Sequence, residues 1–255
     1  MFMAIDIGNT TTMIGFFREG KLAGSYRIGS SSVGTPDECG ILIRQLLAHH
    51  AGKTDVVEKI GICSVVPTLT QVFGMMSEKY FGMESSFLDY KTDLGFRILY
   101  DDPRQVGADR LANAAAARVL YGYPSIIVDL GTATTYDVID SNGDYAGGLI
   151  TPGLWTSASN LFEKASRLFP VKIEKPDKVI ATDTANSIKA GIYYGLIGQM
   201  EYLVDLIKRN MRTENIKVIA TGGFSDIFKE NEPEMVHHVE PGLTLKGLQI
   251  VFDGD

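Results

Sequence analysis

The chain has 255 residues, more than a typical single domain of roughly 100 to 150, so two domains are the starting expectation. Its 45% hydrophobic and 22% charged residues describe an ordinary globular protein able to build a core in each half. A formal charge of −7 argues against a nucleic-acid partner, which usually meets a basic stripe. The two cysteines, Cys39 and Cys63, lack CxxC or Cys/His ligand spacing, which argues against a disulfide framework or a zinc centre.

Asp6 interrupts the apolar opening, Phe2 to Ile5, before a secretory or spanning segment could be completed. The expectation is therefore a cytoplasmic protein with no membrane partner. Phe2 to Ile7, Met13 to Phe17 and Leu22 to Ile28 read as three strands of a meander, rich in β-branched and aromatic residues between Gly, Asn and Thr clusters. Pro36 and Asp37 lead into Ile41, Leu42, Leu46 and Leu47 at helical spacing, a pattern that Gly52 ends. Ile60 to Val66 reads as a buried strand, and Pro67 opens a helix through Met75, Met76 and Tyr80.

The second half repeats this order. Ile126 to Leu130, Thr135 to Ile139 and Tyr145 to Ile150 are expected strands, with Asn142-Gly143 a hairpin turn. Helices are expected over 154–168 and 186–211, the latter carrying Ile188, Ile192, Leu196, Met200, Leu203 and Ile207 on one face. Val218 to Ala220 gives a late strand. No low-complexity linker marks a boundary, and the expected domains are 1–121 and 122–255.

The informative feature is internal. Asp6-Ile7-Gly8-Asn9-Thr10-Thr11-Thr12 lies over Asp129-Leu130-Gly131-Thr132-Ala133-Thr134-Thr135 with Asp, Gly and two Thr matched, each copy following an apolar strand. Gly allows a tight turn and close approach of a ligand, while Thr hydroxyls and backbone N–H groups can donate to phosphate oxygens. An Asp before the turn can face a cation. Two such hairpins facing each other would hold the tail of ATP with its metal ion. Either copy alone reads first as a plain turn; the pairing favours the phosphate clamp. Gly52-Lys53-Thr54 imitates the end of a Walker A motif, but the earlier Gly that motif requires would fall at Leu47. Thr221-Gly222-Gly223 could let backbone pass close to adenine or ribose, and a plain turn accounts for it as well; Gly147-Gly148 reads as structural.

Between the halves, Tyr100-Asp101-Asp102-Pro103-Arg104 leads to Gly107-Ala108-Asp109-Arg110 at the head of the alanine-rich helix Ala112 to Ala117. Asp109 can complement the helix dipole there, worth about 0.3–1 kcal/mol. In isolation that reading comes first; the alternative is that Asp109 accepts a proton from a substrate hydroxyl during phosphoryl transfer, with Arg110 beside it able to bind a carboxylate. His49-His50 and His237-His238 are adjacent pairs, not the spacing of a helical metal face.

Asp6-x-Gly8-Asn9-Thr10, Gly107-Ala108-Asp109-Arg110 and Asp129-x-Gly131-Thr132-Ala133-Thr134 together resemble the motifs of the type III pantothenate kinase family, over nearly the whole chain. Further similarity lies in Gly147-Gly148 through Pro152-Gly153, in Thr184 before Ser187-Ile188-Lys189-Ala190-Gly191, and in Thr221-Gly222-Gly223; Lys189 stands where the family pattern suggests Gln. The resemblance implies an α/β protein of duplicated actin-like (ribonuclease H-like) domains, each a mixed sheet with an antiparallel three-strand meander flanked by helices. It implies ATP-dependent phosphorylation of pantothenate to 4'-phosphopantothenate, the first step of coenzyme A biosynthesis, with Asp109 as proton acceptor. Tyr100, Gly107, Ala108, Arg110 and Thr184 would line the substrate pocket, while Asp6, Ile7, Gly8, Asn9, Thr10, Thr11, Thr12, Met13 and Thr132 would hold ATP with Mg2+. Asp129 would bind a monovalent cation, K+ or NH4+, and the protein would be a homodimer, with residues 181–186 near the partner subunit.

Overall fold

The structure, a computed structural model, describes residues 1–49, 56–213, 215–228 and 234–254. The Walker-like Gly52-Lys53-Thr54 and His50 lie outside the described residues. The chain divides into two compact units, Met1–Leu120 with Gly242–Asp255, and Tyr121–Pro241.

Unit 1 opens with the expected meander: β1 (Phe2–Ile7), β2 (Thr11–Arg18) and β3 (Lys21–Gly29), followed by α1 (Pro36–Ala48), β4 (Lys59–Ser64), α2 (Pro67–Phe81) and a short β5 (Ser86–Phe87). The sheet order is β3-β2-β1-β4-β5, antiparallel through the meander and parallel from β1 onward. Thr35 and Glu38 close a reciprocal capping box at the start of α1, with Pro36 behind the cap. Gly82, at φ +68°, ends α2 in the left-handed region that favours glycine.

Alternation along β1 decides which side chains meet which helices. Met3, Ile5 and Ile7, with Ile14, Phe16, Ile60 and Ile62, point to one face and pack with Ile43 of α1 and Phe73 and Met76 of α2. At about 1.5–3 kcal/mol per buried aliphatic or aromatic side chain, that face stabilises the meander. The residues between them, Phe2, Ala4, Asp6, Gly61 and Cys63, belong to the other face, against which α6 (Leu243–Asp253) lies over β1 and β4. A Cβ on Gly61 would meet the rings of Phe2 and Phe252 at 2.7 Å, so glycine is what allows that contact. The same face receives α3 (Ala108–Leu120), which touches β4 and packs along α6. Every residue from Leu111 to Ala117 is buried, and a Cβ on Gly247 would fall 2.0 Å from the Ala112 carbonyl oxygen. The alanine-rich run is therefore the small-residue seat of α6.

The sequence reading carried the second domain to residue 255, whereas α6 packs into unit 1. Its apolar residues Leu243, Leu245 and Leu248 find their partners there.

Unit 2 contains β6 (Ser125–Leu130), β7 (Ala133–Ile139), β8 (Tyr145–Pro152), α4 (Leu154–Lys164), α5 (Thr184–Met211), β9 (Lys217–Thr221) and β10 (His238–Val239), in the sheet order β10-β9-β6-β7-β8. Gly143, at φ +82°, turns the β7-β8 hairpin where Asn142-Gly143 is expected to. Ile126, Val128, Leu130, Tyr136, Val218 and Ala220 form the face buried with Leu154, Leu196, Met200 and Val204. The other face carries Ile127, Asp129, Thr135, Asp137, Ile219 and Thr221. Both units are thus mixed sheets built on an antiparallel meander with flanking helices, the architecture implied by the resemblance. The structure adds the two-residue edge strands β5 and β10 and the helix α6; Trp155, at the start of α4, is 46% exposed and meets Phe162 edge-on.

Candidate active-site elements

In unit 1, Asp6 sits next to the end of β1, and its ladder partners are Met13 on β2 and Cys63 on β4. Gly8 turns the chain, its N–H donating to the Thr11 carbonyl at 3.0 Å. Behind the turn, Ser30 Oγ donates to the Gly8 carbonyl at 2.6 Å and lies 3.0 Å from the buried hydroxyl of Thr12. Ser30 fastens the loop of Gly8, Asn9 and Thr10 to the third strand, a role no sequence motif announces. Asn9, Thr10 and Thr11 remain exposed at its tip. Thr12 is fully buried, so its hydroxyl serves the loop's own structure.

Asp109 occupies the first turn of α3. The Gly107 carbonyl accepts the first helical bond from Leu111 N–H, and Asp109 Oδ1 folds back to accept from Arg110 N–H at 2.8 Å. That fold requires glycine at 107, where a Cβ would stand 2.4 Å from Asp109 Oδ1. Burial raises the Asp109 carboxyl above its ordinary range, against the lowering effect of the Arg110 backbone and guanidinium. Arg110 is itself buried, and Tyr100 lies half-buried in the bend before the Pro103–Gln105 turn.

Cys63 stands beside the first of these carboxylates. Its thiol donates to Asp6 Oδ1 at 3.3 Å. Burial pushes the thiol well above its usual range, and the charges of Asp6 and then Asp109 push it further. Asp6 therefore meets a buried sulfur from the neighbouring strand inside unit 1. In the sequence Cys63 carries no ligand or disulfide spacing; the strand ladder is what places it beside Asp6.

In unit 2 the corresponding hairpin is tighter. Gly131 N–H donates to the Ala133 carbonyl at 3.1 Å, and two residues separate β6 from β7 where three separate β1 from β2. The gapless overlay of the two motifs consequently slips by one after the turn: the ladder partner of Asp129 is Thr135, while that of Asp6 is Met13. Asp129 also pairs with Thr221 on β9. Gly222, at φ +89°, presses onto it, since a Cβ there would fall 2.3 Å from Asp129 Oδ1 and 2.6 Å from the Leu130 amide nitrogen. This close approach explains Thr221-Gly222-Gly223 more directly than a plain turn does. The α4 start packs onto the same loop: Gly153 N–H and Thr156 Oγ1 both donate to the Thr132 carbonyl, at 3.1 and 2.6 Å, leaving Thr132 exposed at the tip.

Thr184 is the first residue of α5, behind the N-cap Asp183, which accepts from Asn186 N–H at 2.9 Å. It lines a groove of about 930 Å³ between α4 and α5 together with Asp183 and Ser187. Lys189, the departure from the expected pattern, pairs with Glu174 at 2.9 Å. His237 Nδ1 accepts from the Val218 N–H and His238 stacks on Tyr121, which accounts for that histidine pair structurally.

Residues 2–206 match the family model described as type III pantothenate kinase. The chain is 39% identical over 252 residues to a type III pantothenate kinase of Agathobacter rectalis, covering 99% of this chain and 96% of that one. Among solved structures, a Campylobacter jejuni protein assigned to the Baf family of transcriptional activators superposes with a TM-score of 0.57 at 19% identity, covering 98% of this chain and 96% of that one. The ethanolamine utilization protein EutJ of Carboxydothermus hydrogenoformans superposes with a TM-score of 0.54 at 16% identity, covering 98% and 89%. At those identities the structural likeness establishes the fold, while the sequence match establishes the family: the chain belongs to the type III pantothenate kinases.

Proposed function

We propose a residue-level reading of the reaction that family membership carries, the ATP-dependent phosphorylation of pantothenate to 4'-phosphopantothenate in coenzyme A biosynthesis. The observation that supports it most directly is the Asp109 carboxylate, held in the first turn of α3 against Arg110 N–H by the close approach that Gly107 allows.

In this reading Asp109 accepts the proton of the pantothenate hydroxyl as that oxygen attacks the γ-phosphorus of ATP, while the bond from that phosphorus to the β,γ-bridging oxygen breaks and ADP leaves. A carboxylate raised by burial is a better proton acceptor than an exposed one, and general-base assistance of this kind is worth about 10²–10⁴-fold. Arg110, with Tyr100, Gly107, Ala108 and Thr184, is assigned to the substrate, and the residues from Asp6 to Met13 with Thr132 to ATP. Within the first loop the exposed Asn9, Thr10 and Thr11 are the candidates for phosphate oxygens, whereas Thr12 is committed to Ser30. Magnesium, when bound with ATP, supplies charge neutralisation at the phosphates. Asp6 is assigned to hold that charge in place. Asp129 is assigned to a monovalent cation, and its neighbours fit one, since an alkali ion takes oxygen donors and both ladder partners of Asp129 are hydroxyls.

Homodimerisation is part of the same reading. It is supported by the large apolar side chains that unit 2 leaves exposed along and before α5, Ile180, Tyr202 and Leu206. Among the described residues no helix is long and apolar enough to cross a membrane, and we place the enzyme in the cytoplasm on the same family grounds.

The test is a coupled ADP-release assay with and without pantothenate, run in potassium and then in sodium, with light scattering for the dimer. ADP release that depends on pantothenate is the expected result. Release indifferent to pantothenate overturns the activity, and equal rates in both salts overturn the cation assignment.

A further inference from the structure

The two hairpins place different chemistry beside their aspartates. Across three neighbouring strands unit 1 sets Met13, Asp6 and Cys63 in one row; unit 2 sets Thr135, Asp129 and Thr221 in the equivalent row. One row flanks its carboxylate with sulfur, the other with hydroxyl oxygen. Ladder partners share a face with Cβ atoms about 4.5–5.5 Å apart, within reach of a common ion.

The Thr135 hydroxyl of the second row is not placed to donate to phosphate. Thr135 Oγ1 donates its single proton to Asp137 Oδ2 at 3.1 Å, leaving only lone pairs to offer. Asp137 is fully buried, and its other oxygen accepts from the buried Tyr145 hydroxyl at 2.6 Å. A buried carboxylate so anchored fixes which way the Thr135 proton points. On the far side of Asp129, Thr221 is 1% exposed, and its Oγ1 has no hydrogen-bond partner among the described residues. A buried hydroxyl left in that state is unfavourable unless something occupies the position beside it.

We propose that Thr135 and Thr221 are ligand oxygens of the cation assigned above to Asp129, and that Asp137 with Tyr145 is a positioning pair that keeps the lone pairs of Thr135 turned toward that cation. This rests on the Asp129 assignment and deepens it: the threonine opposite the aspartate serves the cation, not the nucleotide phosphates. The sulfur-flanked row of unit 1 is not a second site for the same ion, because alkali cations select oxygen.

The experiment compares wild type with Asp129→Asn, Thr135→Val, Thr135→Ser, Thr221→Val, Asp137→Asn and Tyr145→Phe. Thermal unfolding is followed while potassium chloride replaces choline chloride at constant ionic strength, with magnesium and a non-hydrolysable ATP analogue present. Ligand binding to the folded state appears as a potassium-dependent rise in Tm. The potassium midpoint of pantothenate-dependent ADP release is measured alongside.

Thr135→Val and Thr221→Val are expected to raise both midpoints about tenfold, the scale of one lost polar ligand. Thr135→Ser restores the wild-type value. Asp137→Asn and Tyr145→Phe shift the midpoint in the same direction through Thr135, while KM for ATP at saturating potassium stays within about twofold. If Thr135→Val instead raises KM for ATP and leaves the potassium midpoint alone, Thr135 is a phosphate ligand and the proposal falls. If Asp129→Asn itself leaves the potassium response intact, the underlying assignment falls and takes this one with it. Should Asp137→Asn fail to fold, the two threonine variants and Tyr145→Phe decide the outcome.

Discussion

The Cys63 thiol donates to Asp6 Oδ1 at 3.3 Å from the neighbouring parallel strand, where the two residues are ladder partners. The donor is buried and so is held in one orientation, and the carboxylate it orients stands at the mouth of the first hairpin. Cys63→Ser keeps a donor at this position and should leave the magnesium requirement of the reaction close to wild type. Cys63→Ala removes the donor and should raise the magnesium concentration for half-maximal rate several-fold, in line with about 1.5–3 kcal/mol for strong hydrogen bonds to charged groups and less for a thiol. A magnesium titration of the two variants decides it; identical curves would separate Cys63 from Asp6.

The same burial makes both cysteines inert. Cys39 is pushed up to about 11 and Cys63 well above its ordinary range, so neither thiolate is populated at pH 8. Native protein should react with less than one equivalent of Ellman's reagent in an hour, and unfolded protein with two. Rapid modification of the native enzyme would contradict this burial.

Asp109→Asn should lower kcat by about 10²–10⁴-fold with the circular dichroism spectrum unchanged. The pH dependence has a definite sign. Burial raises the folded-state carboxyl above 3.8, so the folded protein holds the proton more tightly than the unfolded chain. Stability from this group is therefore complete below pH 3.8 and declines as pH rises through the raised value. Relative to wild type, Asp109→Asn should gain stability across that window and keep the gain at neutral pH. Urea unfolding at pH 4 and pH 7 checks it, and a variant less stable at pH 7 than at pH 4 relative to wild type would be evidence against a strained acid.

Gly107→Ala brings a Cβ to 2.4 Å from Asp109 Oδ1, and the movable atom is the carboxylate. The expected outcome is a large loss of kcat with little loss of stability. Gly222→Ala differs because its φ is +89° and the new Cβ also meets the Leu130 amide at 2.6 Å, so backbone must yield. About 1–3 kcal/mol of destabilisation is expected there, together with weaker potassium activation through Asp129. Chemical denaturation and steady-state kinetics on the pair separate the two effects.

Gly247→Ala tests the seat of the last helix on the alanine-rich one. Its Cβ would fall 2.0 Å from the Ala112 carbonyl oxygen, a contact that only a shift of α6 against α3 relieves. A loss of about 1–3 kcal/mol is expected from overpacking. Because α3 carries Asp109, kcat should fall as well; a fully stable and active variant would show that the helices have room between them.

The strands of both meanders, the long helices α2 and α5, the two aspartate-glycine motifs and the Gly-Ala-Asp-Arg group were all legible from residue pattern, because alternation, helical spacing and turn chemistry are local properties. The helix α6 carried a readable signal in Leu243, Leu245 and Leu248, but its membership of unit 1 depends on partners more than a hundred residues away. Ser30, Cys63, Asp137 and Tyr145 belong to no motif, and only strand register brings them to the hairpins. Register likewise corrected the overlay of the repeats, since one residue more in the first turn moves every later side chain along the ladder.

By itself the sequence determined that this is a duplicated α/β protein with an aspartate-glycine hairpin in each half and an acid at the head of an alanine-rich helix. Tertiary structure alone decided what stands beside each aspartate. Side chains that share a ladder rung are chosen by hydrogen bonding between strands distant in the chain, so the sulfur around Asp6 and the hydroxyls around Asp129 come into view only when the sheets are assembled.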